Sequence, residues 1–116
     1  MATKREIERK LRELIKRLNR ADNQTQESLA RTLPESRIVE VTVTDLEAIY
    51  WTELSKGMMG PLQEGAPREA EIRVRVSSDH LVELVDGHRS LFSSYLGGQV
   101  KIEASLSDLL RLRKLG

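Results

Sequence analysis

Cysteine is absent from the 116 residues of this chain. Its absence excludes disulfides, thiolate nucleophiles and zinc sites built on sulfur. Aromatic residues make up 3% of the sequence, and none lies in the basic N-terminal run, where stacking on nucleic-acid bases would need one. No apolar run approaches the ~20 residues of a membrane-spanning helix, and the N-terminus is too charged for a signal peptide. The sequence therefore predicts a cytoplasmic protein and disfavours nucleic-acid binding.

The net charge of +1 conceals an uneven distribution of charge along the chain. Residues 1–20 contain eight Lys or Arg and three Glu, residues 21–110 contain eight basic and fifteen acidic residues, and the last six residues add three cations. A basic N-terminal helix and a basic C-terminal tail suit contact with an anionic membrane surface. Two plainer interpretations stay open: these segments fold back onto the acidic middle, or they are only solvated.

Hydrophobic spacing predicts an N-terminal helix over residues 3–20 and a sheet mainly over residues 37–76. The helix carries one apolar stripe of period 3.6, made of Ile7, Leu11, Leu14, Ile15 and Leu18. The sheet region alternates apolar and polar residues, which is typical of strands with one buried face, at Val39, Val41 and Val43 and again at Ile72, Val74 and Val76. A short apolar cluster before Pro34 predicts a brief helix between the two.

The second half of the chain is predicted to be mainly helical. Helices are expected over residues 79–96, a lone strand over residues 99–104 and a C-terminal helix over residues 106–115. Either Ser78 or Asp79 is expected to cap the first of these helices. Strands followed by helices around a lone strand indicate an α+β sheet that is covered on one face.

No residue pattern predicts catalysis. Ser77, Ser78, Asp79 and His80 are residue types of a catalytic triad, but consecutive residues cannot aim at one another as nucleophile, base and orienter. The two histidines, His80 and His88, lack a third ligand with convergent geometry. We therefore expect no cofactor, no metal site and no enzyme activity.

The elements predicted over residues 70–115 follow one another as strand, helix, helix, strand and helix. A strand leads into the helix DHLVELVDG, then the helix HRSLFSSYL, then GGQVKIEASLSDLLRLRKL. The first helix fits the pattern D-x-L-x-x-L-x-x-G through Asp79, Leu81, Leu84 and Gly87. The last strand fits the pattern G-x-hydrophobic-K-hydrophobic through Gly98, Val100, Lys101 and Ile102. In these features the segment resembles the sterol carrier protein (type 2) family, and the N-terminal part agrees with that family more loosely.

The resemblance implies that residues 1–116 form one α+β domain. In that fold a five-stranded, mostly antiparallel sheet is covered on one face by helices, with an apolar tunnel between the two layers. The implied function is the non-catalytic binding and carrying of a lipid-like ligand, such as a sterol, a fatty acid or an acyl thioester. One departure is Ala104, where the family usually has glycine after the last strand. Another is the ending Arg-Lys-Leu-Gly, which is not a peroxisomal address of the Ser-Lys-Leu type.

The resemblance also implies which residues contact the ligand. Carried over by position, the tunnel is walled by apolar residues of the sheet and helices, namely Ile49, Trp51, Leu84, Val85, Phe92, Tyr95, Leu96, Leu109 and Leu112. Each is equally compatible with a filled core, because a sequence pattern does not distinguish a core from a cavity. With a dry core, the alternative is a protein interaction module whose N-terminal helix docks on a partner.

Overall fold

The computed structural model describes residues 2–20, 27, 30, 31 and 35–115, with side chains as far as Leu110. The helices are α1 (Lys4–Asn19), α2 (Ser78–Val85), α3 (Leu91–Leu96) and α4 (Leu106–Leu115). The strands are β1 (Arg37–Val43), β2 (Ala48–Ser55), β3 (Met58–Met59), β4 (Gln63–Glu64), β5 (Ile72–Val76) and β6 (Val100–Glu103). The brief helix predicted ahead of Pro34 lies largely outside the described residues.

The sheet has the order β3-β2-β1-β5-β6, and β4 also pairs with β2. Strands β1 and β5 are parallel, and the other pairings are antiparallel. One edge of β2 pairs with β1. Both β3 and β4 pair with the opposite edge of β2, so six strands fill five positions in the sheet. Gly60 and Pro61 separate β3 from β4, and proline cannot donate a ladder hydrogen bond. The α+β class and the covered sheet are as predicted, but the sheet has six strands and not the five that the resemblance implied.

One face of the sheet packs against α1 and α2, and we call it the inner face. Alternation along the strands turns every second residue toward the helices, and the innermost of these are Val43, Tyr50, Val76 and Val100, each 2% exposed or less. Ile7 and Leu11 of the α1 stripe complete this core with Leu81 and Val85 of α2. Full burial of one such side chain stabilises the fold by roughly 1.5–3 kcal/mol.

Two basic residues of α1 reach the end of α2. Arg17 donates to the carbonyl oxygen of Val85 at 2.7 Å, and Lys10 forms an ion pair with Asp86 at 2.6 Å. Cations near a helix C-terminus satisfy its free carbonyls and oppose its dipole. Part of the basic N-terminal segment therefore does fold back onto the rest of the chain.

The cap of α2 differs from the expected one. Ser77 caps the helix by accepting from the amide of His80, whereas Ser78 is fully buried and bonded to Asp45. Asp45 accepts from both the amide and the hydroxyl of Ser78, at 2.8 and 2.6 Å. Because Ser78 is engaged in this tertiary contact, Ser77 is the residue that caps the helix.

Candidate ligand site on the inner face of the sheet

The middle of the inner face is less covered than its end. Val39 and Val41 of β1, Val74 of β5 and Ile102 of β6 lie on the same face as the buried Val43, yet all four are only half-buried. We call these four residues the inner groove. They belong to the central strands β1 and β5 and to the adjacent edge strand β6, and a well-filled core would normally remove such apolar side chains from water. Val41, Val74 and Ile102 also pack against the buried core, so the groove is a partly exposed apolar strip that borders that core.

The helices place some of the predicted ligand residues on this side of the sheet. Val85 is 2% exposed and belongs to the core, and Leu84 is half-buried and packs against that core. Phe92 and Tyr95 of α3 are half-buried. In contrast, Leu96 is 70% exposed, because it stands at the end of a six-residue helix.

The last helix supplies one described residue of the predicted set. Leu109 is half-buried, whereas the side chain of Leu112 lies outside the described residues. Ser105 begins the helix by accepting from the amide of Asp108 at 3.1 Å, as the capping pattern of this segment favours. Asp108 is almost completely buried, at 3% exposure.

Ile49 and Trp51 lie on the outer face of the sheet. Tyr50 packs into the core on the inner face, and successive strand residues point to opposite faces, so its two neighbours point away from the helices. Both are half-buried. The structure thus does not bring them together with Leu84 and Val85, and no single space between sheet and helices contains all of these residues.

A buried ion pair joins α4 to the sheet. Arg37, the first residue of β1, donates to both carboxylate oxygens of Asp108, with Nε–Oδ2 at 2.9 Å and Nη2–Oδ1 at 3.2 Å. The hydrogen bond to Asp108 raises the pKa of Arg37 above its ordinary value. Two-point pairing of this kind fixes the relative position of its partners more firmly than a single contact. Sequence reasoning missed the pair because the two residues are far apart in the chain.

The phenol of Tyr50 is a second feature that the sequence did not indicate. The residue is 1% exposed, and its hydroxyl has no hydrogen-bond partner within the described part of the chain. Burial raises its pKa. A buried donor without a partner is costly, so this phenol is a polar group of the inner face that no described residue satisfies.

Metal-binding clusters and membrane-spanning segments are not found among the residues described. No group of three or more His, Asp or Glu side chains there could hold a metal ion. No helix in the same residues is long and apolar enough to cross a membrane.

A family assignment follows from the sequence match. Residues 12–115 match the profile of the SCP-2 sterol transfer family. The chain belongs to this family. Its helix-covered sheet is therefore an SCP-2 fold, as the strand and helix order of residues 70–115 had indicated. No curated protein is similar enough in sequence to count as a match.

Solved SCP-2 structures have the same fold at low identity. The sterol carrier protein domain 2 of Helicoverpa armigera shares 17% identity over 91% of this chain and 84% of its own, with a TM-score of 0.64. The ubiquinone synthesis protein UbiJ-SCP2 shares 14% identity over 99% and 92%, with a TM-score of 0.64. A stereoselective sec-alkylsulfatase from Pseudomonas sp. shares 16% identity over 73% of this chain, with a TM-score of 0.57, but the chain covers only 13% of that enzyme. The same fold thus fills most of two of these solved chains and a small part of the third.

Proposed function

We propose that residues 1–116 form one domain that binds and carries a lipid-like apolar ligand, without catalysing a reaction. The ligand classes are a sterol, a fatty acid or an acyl thioester. The observation that carries the proposal is the inner groove. The chain belongs to a family of sterol-transfer domains, and an apolar strip across β1, β5 and β6 is only half-buried.

The ligand is expected to lie between the inner groove and the helices. Leu84, Phe92, Tyr95 and Leu109 are half-buried and are the predicted residues best placed to contact it from the helical side. A ligand contact by Ile49 or Trp51 would instead require a site on the outer face of the sheet. Variants on the two faces, described in the Discussion, distinguish these arrangements.

The expected affinity is moderate. Burial of ~12 methylene groups is worth roughly 10 kcal/mol at ~0.8 kcal/mol each. Association and ordering costs of several kcal/mol reduce this to about micromolar binding. Recognition by shape and apolar area favours broad ligand choice.

Entry of the ligand is proposed to require movement of α4. This helix is tied to the sheet through Arg37 and Asp108, on the same face as the inner groove. Release of that contact would uncover the groove without unfolding the core formed by α1, α2 and the sheet.

A membrane surface is the proposed place of exchange. One stripe of cations follows α1 and its C-cap residue at spacings of three or four, namely Arg5, Arg9, Arg12, Lys16 and Arg20. All five are exposed, and none forms an ion pair with another described residue. This stripe, together with the basic C-terminal tail, suits transient contact with anionic lipid.

Native mass spectrometry of the protein as purified tests the proposal directly. A stoichiometric lipid that is released on denaturation would support it and would name the ligand class. The proposal fails if the protein is empty and also does not bind a fluorescent fatty acid or sterol. The alternative, an interaction module with a dry core, then gains support if the protein still captures a partner protein after polar substitutions in the inner groove.

A further inference from the structure

A separate cleft lies where α2 meets α3 and the turn before β6. Its volume is about 320 Å³. Apart from Gly97, its wall consists of side chains with N–H or O–H groups, and no carboxylate lines it: His80, Arg89, Ser90, Ser93, Ser94 and Gln99. This composition differs from the apolar inner groove and points to a polar ligand.

The back wall of the cleft is fixed by one hydrogen bond. His80 Nε2 and Ser94 Oγ are 2.7 Å apart, which ties α2 to α3. Ser94 is 4% exposed, so its hydroxyl is a buried part of the wall and is poorly placed to attack a substrate. The pair therefore gives the cleft a rigid base.

The wall of the cleft carries hydrogen-bond donors that are not used by any described residue. Arg89 donates its Nε to Glu83 at 2.8 Å, and its terminal amino groups make no hydrogen bond to any described residue. The hydroxyl of Ser93 and the side-chain amide of Gln99 likewise make no hydrogen bond within the described residues. Glu83 is the carboxylate paired with this guanidinium, and it does not line the cleft.

Phosphate oxygens match this set of donors. A guanidinium, a hydroxyl and an amide can each donate to a separate oxygen, and guanidinium groups bind phosphate through parallel hydrogen bonds. At about 30 Å³ for each water-sized group, the cleft has room for roughly ten non-hydrogen atoms. That is more than one phosphate group needs and is close to the size of a glycerol phosphate.

We propose that this cleft binds a phosphate monoester, with Arg89, Ser93 and Gln99 donating to the phosphate oxygens. The phosphate can belong to a lipid head group or to a small soluble ester. The proposal does not depend on the apolar ligand of the inner groove.

Calorimetry with three ligands tests the proposal and separates the two sources. The ligands are glycerol 3-phosphate, 1-oleoyl lysophosphatidate and, as a neutral lipid, monoolein. The test variant is Arg89→Gln. Its matched control is Glu83→Gln, which breaks the same ion pair but keeps the guanidinium, and Arg68→Gln controls for loss of an exposed charge elsewhere.

Arg89→Gln is expected to weaken binding of a phosphate ester about tenfold or more, because charge-assisted hydrogen bonds are lost. Glu83→Gln and Arg68→Gln should bind as tightly as the unmodified protein or more tightly. Ligand-induced amide shifts in heteronuclear NMR spectra should concentrate at Ser93, Ser94 and Gln99 and leave the indole of Trp51 unchanged.

The outcome for each ligand carries a separate meaning. If Arg89→Gln weakens the binding of lysophosphatidate alone, the phosphate belongs to a lipid head group. If it also weakens the binding of glycerol 3-phosphate, the cleft accepts a soluble ester as well. The proposal is overturned if neither ester binds, or if Arg89→Gln and Glu83→Gln lose affinity for the esters to the same extent. Failure of monoolein to bind counts against the apolar site and leaves the phosphate site standing.

Discussion

Arg37 and Asp108 form a two-point ion pair across 71 positions of sequence, and their side chains are only 11% and 4% exposed. The pair connects the first residue of β1 to the first turn of α4. This polar contact ties the last helix to the sheet, so the proposed entry route requires it to open.

Substitution of Asp108 by Asn is expected to lower the free energy of unfolding by about 3 kcal/mol, because it leaves a buried guanidinium without its counter-charge. It should also speed exchange of a bound fluorescent fatty acid. Urea unfolding and stopped-flow displacement measure the two effects. Glu35→Gln is the control, since Glu35 contacts the same arginine at 3.4 Å but is 82% exposed; its effect should stay below about 1 kcal/mol. Equal effects of the two variants would contradict a special role for Asp108.

Deletion of residues 106–116 is expected to abolish uptake of apolar ligand while the core remains folded. None of the described side chains of α4 belongs to the core formed by α1, α2 and the sheet. Circular dichroism and thermal unfolding establish folding, and a fluorescent fatty acid reports uptake. A folded truncation that takes up ligand normally would rule out gating by the last helix.

Polar substitution should affect ligand binding on one face of the sheet only. Val74→Thr preserves side-chain shape and places a hydroxyl in the inner groove, where burial under an apolar ligand costs about 1–3 kcal/mol. Binding of a fluorescent fatty acid should weaken about fivefold or more. Ile49→Thr makes a comparable change on the outer face and should have little effect. A stronger effect of Ile49→Thr would instead place the ligand on the outer face.

Replacement of Tyr50 by Phe is expected to leave stability unchanged or to raise the free energy of unfolding by about 1 kcal/mol. The substitution removes a buried hydroxyl that has no described partner and keeps the ring that fills the core. Urea unfolding at neutral pH measures the change. A clear loss of stability would mean that the hydroxyl has a partner in solution.

Stability should decrease as the pH falls below about 4. Four carboxylates have a pKa below the ordinary value because each accepts a hydrogen bond from a partner, and the pairs are Asp45 with Ser78, Glu64 with Lys4, Glu83 with Arg89 and Asp86 with Lys10. A lowered folded-state pKa means that the unfolded chain binds more protons, so stability is present above the unfolded pKa and is lost on acidification toward the folded pKa.

The variant Asp45→Asn isolates one contribution to this acid dependence. It removes the titrating group that accepts from Ser78. The difference in stability between pH 7 and pH 3, measured by urea unfolding, should therefore be smaller than in the unmodified protein. An unchanged difference would show that Asp45 does not contribute.

Local patterns predicted the elements well because they act over short distances. The apolar stripe of α1 and the alternation of β1 and β5 lie within single segments, and each led to the correct element. The cap of α2 was wrong because Ser78 is bonded to Asp45, 33 residues away. The five-stranded sheet implied by the resemblance has six strands here, since pairing with β2 resumes after Pro61 in a second short strand.

The sequence by itself determined the helices, most strands, the fold class and the family, because periodicity and motif order are properties of neighbouring residues. Only the tertiary structure decided which face of β2 is buried. Ala48, Ile49, Tyr50 and Trp51 are apolar on both faces of that strand, so alternation has no preferred side until α1 packs against one of them. Tertiary structure likewise brought together Arg37 with Asp108 and His80 with Ser94, because hydrogen bonds between distant segments exist only after the chain has folded.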